Sequence, residues 1–300
     1  MSETSKTLLV TGATGYLGGR LVRSLVSGGH NAFCLRRRNS PIERLKDIEA
    51  SIAWIDVADA TFESFFAGNQ VDAIVHCATS YGRRAVSPLD TIEANLILPL
   101  KLLHAAAAAG VSVFLNTDTV LDKGLSNYAL SKAQFVDWLR VYSTKMTCLN
   151  VALQHFYGAG DDPTKFTTFI VRSLLREEPR LKLTAGEQTR DFIHVDDVVR
   201  AMLTVLGAAD GLGRGCFHYE VGTGAPIRVR DFVTLAAELA GNRCTALDFG
   251  ALPYRRGEVM SIHTELGPLL GLGWSPRVGI REGLFEMIEA ERNLLTPCDT

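Results

Sequence analysis

The first half of the chain alternates short apolar runs with longer segments that have the spacing of amphipathic helices. A strand that is apolar along its whole length is buried on both faces, which is typical of a parallel sheet covered by helices. The alternation therefore predicts an α/β fold built on a doubly wound parallel sheet. The predicted strands are Thr7–Gly12, Asn31–Arg36, Ser51–Val57, Ala73–Ala78, Val111–Thr117 and Thr147–Leu153.

The second half is less regular: amphipathic helices alternate with a few short strands, and no linker rich in Pro or Ser separates them from the first half. We therefore expect a smaller C-terminal α/β lobe that binds the substrate and packs on the first domain. The expected division is 1–154 for a dinucleotide-binding domain, with 186–222 partly returning to it. Residues 155–185 and 223–300 form the expected substrate-binding lobe.

A glycine-rich turn joins the first predicted strand to the helix that follows it, in the sequence VTGATGYLG. Glycine permits the sharp turn, lets the backbone approach a pyrophosphate and lets the helix pack closely on the sheet. The amides at the start of that helix can then hold the phosphates. The motif predicts a dinucleotide-binding (Rossmann) domain. The predicted binding residues of this turn are Gly12, Thr14, Gly15, Tyr16, Leu17 and Gly18.

The end of the second strand indicates which dinucleotide is bound. A carboxylate there would bond to the adenosine ribose of NAD, but this chain has Arg36, Arg37 and Arg38, and no acidic residue before Glu43. Guanidinium groups pair with a 2′-phosphate, so NADP(H) is favoured and NAD(H) is the alternative. The alternative is that the arginines form a solvated loop, as most charge runs do.

Tyr128 and Lys132 lie one helical turn apart in SNYALSKAQF, after the fifth predicted strand. Ligands of a doubly wound sheet bind outside the carboxyl ends of the strands, so both side chains and Thr117 can meet at a nicotinamide. An ammonium group near a phenol favours the phenolate and lowers the pKa of the tyrosine. Tyr128 is therefore the predicted acid or base, and Thr117 is predicted to bond to the same substrate oxygen.

Taken together, the glycine turn, Thr117, the Tyr128–Lys132 pair and RDFIHVDDV resemble the extended short-chain dehydrogenase/reductase family, that is, the NAD-dependent epimerases and dehydratases. The resemblance spans nearly the whole chain. It implies a nucleoside-diphosphate sugar as substrate and, since members commonly pair through helices of the first domain, a homodimer. It also implies further cofactor-binding residues, Asp56, Val57 and Ala78, and substrate-binding residues, His155, Arg190, and Arg255 or Arg256 near the diphosphate. His155 could equally be a packing residue.

Within that family, NTDTVLD and HFYGAGDDPTKF are similar to the 4-ketoreductases of deoxysugar biosynthesis, such as CDP-abequose and CDP-paratose synthases. The implied reaction is reduction of the C4 ketone of a 4-keto-deoxyhexose nucleotide by NADPH. The family's dehydratases have Thr-Asp-Glu where this chain has Thr117-Asp118-Thr119, so dehydration is not expected. Asp118 is either a catalytic helper or a turn residue. A 4-epimerase with tightly bound NAD and a catalytically silent NADP-sensing protein are the alternatives.

Charge and composition exclude several other classes. The formal net charge of −2 gives no basic surface for nucleic acid, and no apolar run approaches the roughly 20 residues that span a bilayer. The six cysteines are scattered without a C-x-x-C pair, so neither a disulfide framework nor a zinc site is expected. His194, Asp196 and Asp197 lie at a predicted helix start, so we expect no metal. The N-terminus lacks the features of a secretory signal, and we expect a cytoplasmic protein.

Overall fold

The computed structural model describes residues 5–57, 61–83, 86–255 and 257–295. Among these residues, no helix is both long and apolar enough to span a membrane. The strands are β1 (Thr7–Thr11), β2 (Asn31–Arg36), β3 (Ile52–Asp56), β4 (Ala73–His76), β5 (Val113–Thr119), β6 (Thr147–Leu153), β7 (His155–Tyr157), β8 (Arg180–Leu183), β9 (Thr189–Arg190), β10 (Phe192–His194), β11 (Gly215–Val221), β12 (Ile227–Arg228) and β13 (Ala246–Phe249). The α-helices are α1 (Tyr16–Ser27), α2 (Phe62–Gly68), α3 (Pro88–Ile92), α4 (Leu98–Ala108), α5 (Asn127–Tyr142), α6 (Phe166–Leu175), α7 (Val195–Leu212), α8 (Val229–Ala240), α9 (Gly267–Leu270) and α10 (Ile280–Leu295).

The main sheet of the described residues has seven strands in the order β11-β6-β5-β4-β1-β2-β3, and β1 to β6 pair in parallel. This arrangement confirms the predicted doubly wound sheet. The strand order reverses between β1 and β4, so the switch point lies at the carboxyl ends of these two strands. Ligands of such sheets bind in the crevice at that position.

The chain divides into two compact units. The first comprises 1–153 and 199–219, and the second comprises 154–198 and 220–300. The segment that returns to the first unit is thus shorter than the expected 186–222. The difference arises because β9 and β10 pair with β12 and β7, which keeps residues 186–198 in the second unit.

The fifth strand lies two residues later than predicted. The N–H of Val111 bonds to the Ala106 carbonyl at 3.0 Å and so belongs to the end of α4. At the other end, pairing with β6 continues as far as Thr119 opposite Leu153. Asp118 and Thr119 are consequently strand residues with alternating side chains, not members of a turn.

The predicted helix at 90–110 is interrupted. A single π-helical turn, Glu93–Ile97, separates α3 from α4. Pro99 lies two residues after this turn, and it has no N–H group with which to continue an α-helical ladder. The π-helical turn packs against α5 and contains Asn95, whose side chain is fully buried.

The second unit has its own core. Small two-stranded sheets pair β7 with β10, β9 with β12 and β8 with β13, and α6, α8 and α10 contact one another. Phe192 and Phe232 stack at the centre with ring centroids 4.1 Å apart. Glu291 of α10 is also fully buried; it pairs with Arg172 at 2.7 Å and accepts the Gly160 N–H at 2.7 Å.

Candidate active site

The glycine turn has the geometry of a dinucleotide cradle. Gly12 has φ +68°, which favours glycine, and a Cβ there would lie 2.6 Å from the Ala78 amide nitrogen at the switch point. A Cβ on Gly18 would overlap the Gly12 carbonyl oxygen. Helix α1 begins at Tyr16, and its N-cap residue Gly15 provides no side-chain cap, which leaves the first amides of the helix for an anion. Thr14 is partly buried, and Tyr16 and Leu17 are buried in the first turn. These residues fit a bound NAD(P).

The end of β2 carries a fixed guanidinium group. Arg36 lies opposite Asp56 in the β2–β3 pairing, and its Nε is 3.3 Å from an Asp56 carboxylate oxygen. The guanidinium also lies 4.8 Å from the Trp54 ring centroid. Arg36 is therefore held in place and partly neutralised, whereas Arg37 is exposed. The Val57 N–H donates to the Arg36 carbonyl at 2.9 Å, so Asp56 and Val57, both predicted to bind the cofactor, lie directly beside this arginine.

The ends of β1, β4 and β5 are joined by buried hydrogen bonds. Thr11 Oγ1 lies 2.8 Å from His76 Nδ1 and accepts the Ala78 N–H at 3.2 Å. The Thr117 hydroxyl donates to the His76 carbonyl at 2.9 Å. Thr117 thus uses its proton within the protein, and only its lone pairs can accept a bond from a substrate.

Lys132 is the cation of the site. Its side chain is 1% exposed, and Nζ donates to the Thr117 carbonyl at 2.8 Å. Burial lowers the pKa of Lys132 to about 8, while Asp118 and Cys77 oppose that change. The group is therefore still mostly an ammonium at pH 7. One hydrogen bond fixes it to the strand that carries Thr117.

Tyr128 lies in the first turn of α5 and is partly buried. Burial raises its pKa, the neighbouring Tyr81 raises it further, and a hydrogen bond with the Thr119 side chain acts in the opposite direction. The sequence predicted that Lys132 would lower the pKa of Tyr128, and the structure gives the opposite direction. The reason is that the Lys132 ammonium points at the Thr117 carbonyl, so burial has the larger effect on the phenol. In the ligand-free protein Tyr128 is a neutral phenol that can donate a proton.

Asp118 faces away from Thr117 because neighbouring strand residues alternate. Its carboxylate accepts a bond from Asn150 Nδ2 at 2.8 Å, and the same nitrogen lies 3.0 Å from His218 Nδ1. A groove of about 310 Å³ on the α5 side of the sheet edge includes these three residues. Asp118 therefore acts on Tyr128 and Lys132 through its charge.

The substrate-binding candidates of the second unit differ in how they are placed. His155 packs against Phe192 with ring centroids 6.1 Å apart, and burial lowers its pKa to about 4, so it is neutral at pH 7. Arg190 donates to the Thr189 carbonyl at 2.6 Å and the Val259 carbonyl at 2.7 Å. Its guanidinium also pairs with Glu258, so Arg190 links three residues of the second unit. The remaining two candidates are Arg255, which is exposed, and Arg256, which lies outside the described residues.

Sequence reasoning did not single out Tyr81. Its ring centroid lies 5.1 Å from that of Tyr128, and Arg83 lies 5.0 Å from the Tyr81 ring centroid. The available signal is position, because ATSYGRR directly follows β4 at the switch point. The described residues contain no group of three His, Cys, Asp or Glu side chains arranged to bind a metal.

Comparison with known proteins places this geometry in a known group. Residues 8–222 match the model of the NAD dependent epimerase/dehydratase family. CDP-abequose synthase of Salmonella muenchen is 30% identical, over 96% of this chain and 99% of that protein. UDP-glucose 4-epimerase of Mycolicibacterium smegmatis is 28% identical, over 95% of this chain and 98% of that protein. Among solved structures, MoeE5 in complex with UDP-glucose and NAD is 27% identical with a TM-score of 0.83, covering 97% of this chain and 100% of that one.

Proposed function

Because the chain belongs to the NAD dependent epimerase/dehydratase family, we propose that it reduces the C4 ketone of a nucleoside-diphosphate 4-keto-deoxyhexose with NADPH, as a step of deoxysugar biosynthesis. The observation that carries this proposal is the 30% identity to a CDP-abequose synthase over almost the full length of both chains. The nicotinamide, when bound, supplies the hydride. The protein holds the ketone and delivers the proton.

The phenol of Tyr128 is the proton source that we propose for the reduction. A ketone that receives a hydride also needs a proton at its oxygen, and a tyrosine whose pKa is raised retains that proton at neutral pH. Lys132 keeps the Thr117 strand end in place and supplies positive charge near the developing alkoxide. A Thr117 lone pair can accept a bond once the product hydroxyl has formed.

The second unit is proposed to bind the nucleotide sugar, with His155 and Arg255 as contacts and Arg256 as a further candidate. A neutral His155 can donate or accept one hydrogen bond without adding charge. Arg190 is proposed to shape this region indirectly, because its guanidinium holds the segment at Glu258.

The arginines after β2 support NADPH over NADH. Arg36 is already oriented by Asp56 and Trp54, and the exposed Arg37 adds a second guanidinium for a 2′-phosphate. We expect Arg37→Ala to raise the KM for NADPH about tenfold or more and to leave the KM for NADH unchanged. Arg214→Ala, which removes an exposed arginine elsewhere in the first unit, is the matched control. If Arg37→Ala changed the KM values for NADPH and NADH equally, NAD(H) would be favoured as the cofactor.

We further propose that the protein is a homodimer and acts in the cytoplasm. The six cysteines show no disulfide pattern, and disulfides are rare in cytosolic proteins. Helix α5 exposes Leu130, Trp138 and Val141 on one side, with 43%, 42% and 61% of their surfaces accessible. Spacings of eight and three residues place these side chains along one stripe. Sedimentation analysis should give twice the monomer mass, and Trp138→Glu should shift it towards the monomer.

The decisive assay follows NADPH absorbance with CDP-, dTDP-, UDP- and GDP-linked 4-keto-6-deoxy sugars. A reductase consumes one NADPH for each ketone, whereas the rival 4-epimerase interconverts UDP-glucose and UDP-galactose with no net consumption. Tyr128→Phe should lower kcat by about 10² to 10⁴. Tyr142→Phe, at the other end of α5, should leave it unchanged. Full activity in Tyr128→Phe refutes the mechanism.

A further inference from the structure

The loop after β4 places a second phenol ring against the proposed proton donor. Tyr81 and Tyr128 have ring centroids 5.1 Å apart and ring planes inclined by 44°. The Arg83 guanidinium carbon lies over the Tyr81 ring, 5.0 Å from its centroid. Tyr81 thus fills the space beside the Tyr128 ring that a solvent-exposed helix start would otherwise leave to water.

A single buried amide fastens this loop. Asn95 Oδ1 accepts the Ser80 N–H at 2.7 Å and the Thr79 hydroxyl at 3.3 Å. Asn95 Nδ2 donates to the Ser80 carbonyl at 2.8 Å and to Ser131 Oγ at 3.1 Å. All the hydrogen-bonding capacity of the amide is therefore used. The residue before Tyr81 is held through both its N–H and its carbonyl.

The same amide also holds the helix that carries Tyr128. Ser131, which accepts from Asn95, donates its own proton to the Tyr128 carbonyl at 2.9 Å. Asn95 thus links the backbone next to Tyr81 to the backbone of Tyr128. Asn95 itself lies in the π-helical turn Glu93–Ile97.

We propose that Tyr81 is a positioning residue for Tyr128, and that Asn95 acts by holding the two tyrosines at their observed separation. A phenol that can rotate towards water loses the orientation from which it donates to a substrate oxygen. Misplacement of a reacting group by about 1 Å can lower a rate about 10²-fold. The kcat prediction rests on the proposed ketoreduction, whereas the prediction about the ligand-free phenol does not.

Several polar and charged side chains surround the Tyr128 phenol and affect its pKa. Thr119 of β5 hydrogen-bonds the phenol, whereas Asp118 of the same strand acts on it through its charge. Tyr81 contacts its ring from the loop after β4, Arg83 of that loop acts through its charge, and Lys132 lies one turn further along α5. Burial is the main cause of its raised pKa, and Tyr81 is the largest contributing neighbour. Removing the Tyr81 ring admits water and removes that neighbour, so the pKa of Tyr128 falls.

The first experiment is ¹³C NMR of tyrosine Cζ in the ligand-free protein, with the Tyr128 signal assigned through Tyr128→Phe. In the wild type this signal should not move up to about pH 10.5, although an ordinary tyrosine titrates near 10. In Tyr81→Ala it should move towards the phenolate position. Tyr142→Ala removes a ring from the far end of the same helix, and the Tyr128 signal should stay still. An unmoved signal in Tyr81→Ala overturns the proposal.

The second experiment measures kcat and KM in the reductase assay. Tyr81→Ala should lower kcat about 10- to 100-fold with a smaller change in KM, and Tyr81→Phe should restore kcat because the ring, not the hydroxyl, does the packing. Asn95→Ala should behave like Tyr81→Ala, and the double variant should be no worse than either single one. Additive losses overturn the link through Asn95. If no sugar nucleotide is reduced but the NMR shift appears, the proposed function fails and the positioning role stands.

Discussion

Lys132 carries a positive charge into the interior of the first unit, and its burial makes stability depend on pH. The side chain is 1% exposed, and burial lowers its pKa from 10.5 to about 8. In the unfolded chain the ordinary value returns. Between those two values the unfolded chain binds more protons than the folded protein, so the free energy of unfolding rises with pH in that window. Below about pH 8 the charged lysine opposes folding in full.

The magnitude follows from the two pKa values. At about 1.4 kcal/mol for each pKa unit, the fall from 10.5 to about 8 corresponds to roughly 3 kcal/mol of destabilisation at neutral pH. Lys132→Met removes the charge and keeps a long, flexible side chain. It also leaves the Thr117 carbonyl without its donor, which costs about 1–3 kcal/mol. At pH 7 the variant should therefore be as stable as the wild type or up to about 2 kcal/mol more stable.

The assay is urea unfolding of both proteins at pH 7 and pH 10, followed by circular dichroism. The advantage of Lys132→Met should shrink by roughly 2–3 kcal/mol between these conditions, because the wild-type lysine loses most of its unfavourable charge as pH rises. The lost hydrogen bond is the same at both pH values and cancels. Lys101→Met removes an exposed lysine, 64% accessible, and should show no such change. A stability difference that is equal at pH 7 and pH 10 would refute the reasoning.

Two further predictions concern packing and ion pairing. Gly18→Ala should abolish the thermal shift produced by NADP and lower the melting temperature, because its Cβ has no room, whereas Gly211→Ala meets no atom within 4 Å and should do neither. Arg172→Ala should destabilise the protein by about 3–5 kcal/mol in urea unfolding, because it leaves the fully buried Glu291 unpaired. Arg140→Ala removes an exposed ion pair and should cost less than about 1 kcal/mol; similar losses for both arginines would contradict this account.

The sheet follows from the sequence because its strands are continuous apolar runs with clear ends. The predicted bounds Asn31–Arg36 and Thr147–Leu153 coincide with β2 and β6. The carboxyl end of β5 cannot be predicted from the sequence in the same way. Asp118 and Thr119 are polar, and they become strand residues only through pairing with β6. Local hydrophobicity does not encode such pairing.

The sequence predicts those parts of the candidate site that depend on the local backbone and on position along the chain. The glycines of the turn are fixed by backbone geometry, so their spacing is informative. The pKa of Tyr128 depends on burial and on Tyr81, which reaches it from another strand end, and neither is visible in a ten-residue window. The pairing of Arg190 with Glu258 likewise joins residues that are distant in sequence.

Strand β11 has a consequence for biosynthesis of the protein. It covers the edge of β6, yet it is not translated until the ribosome has passed through a whole segment of the second unit. A nascent or truncated chain that stops at residue 153 would leave β6 with open N–H and C=O groups, which other chains can pair with. A fragment intended to isolate the dinucleotide-binding unit must therefore include residues 199–219, or it will tend to aggregate.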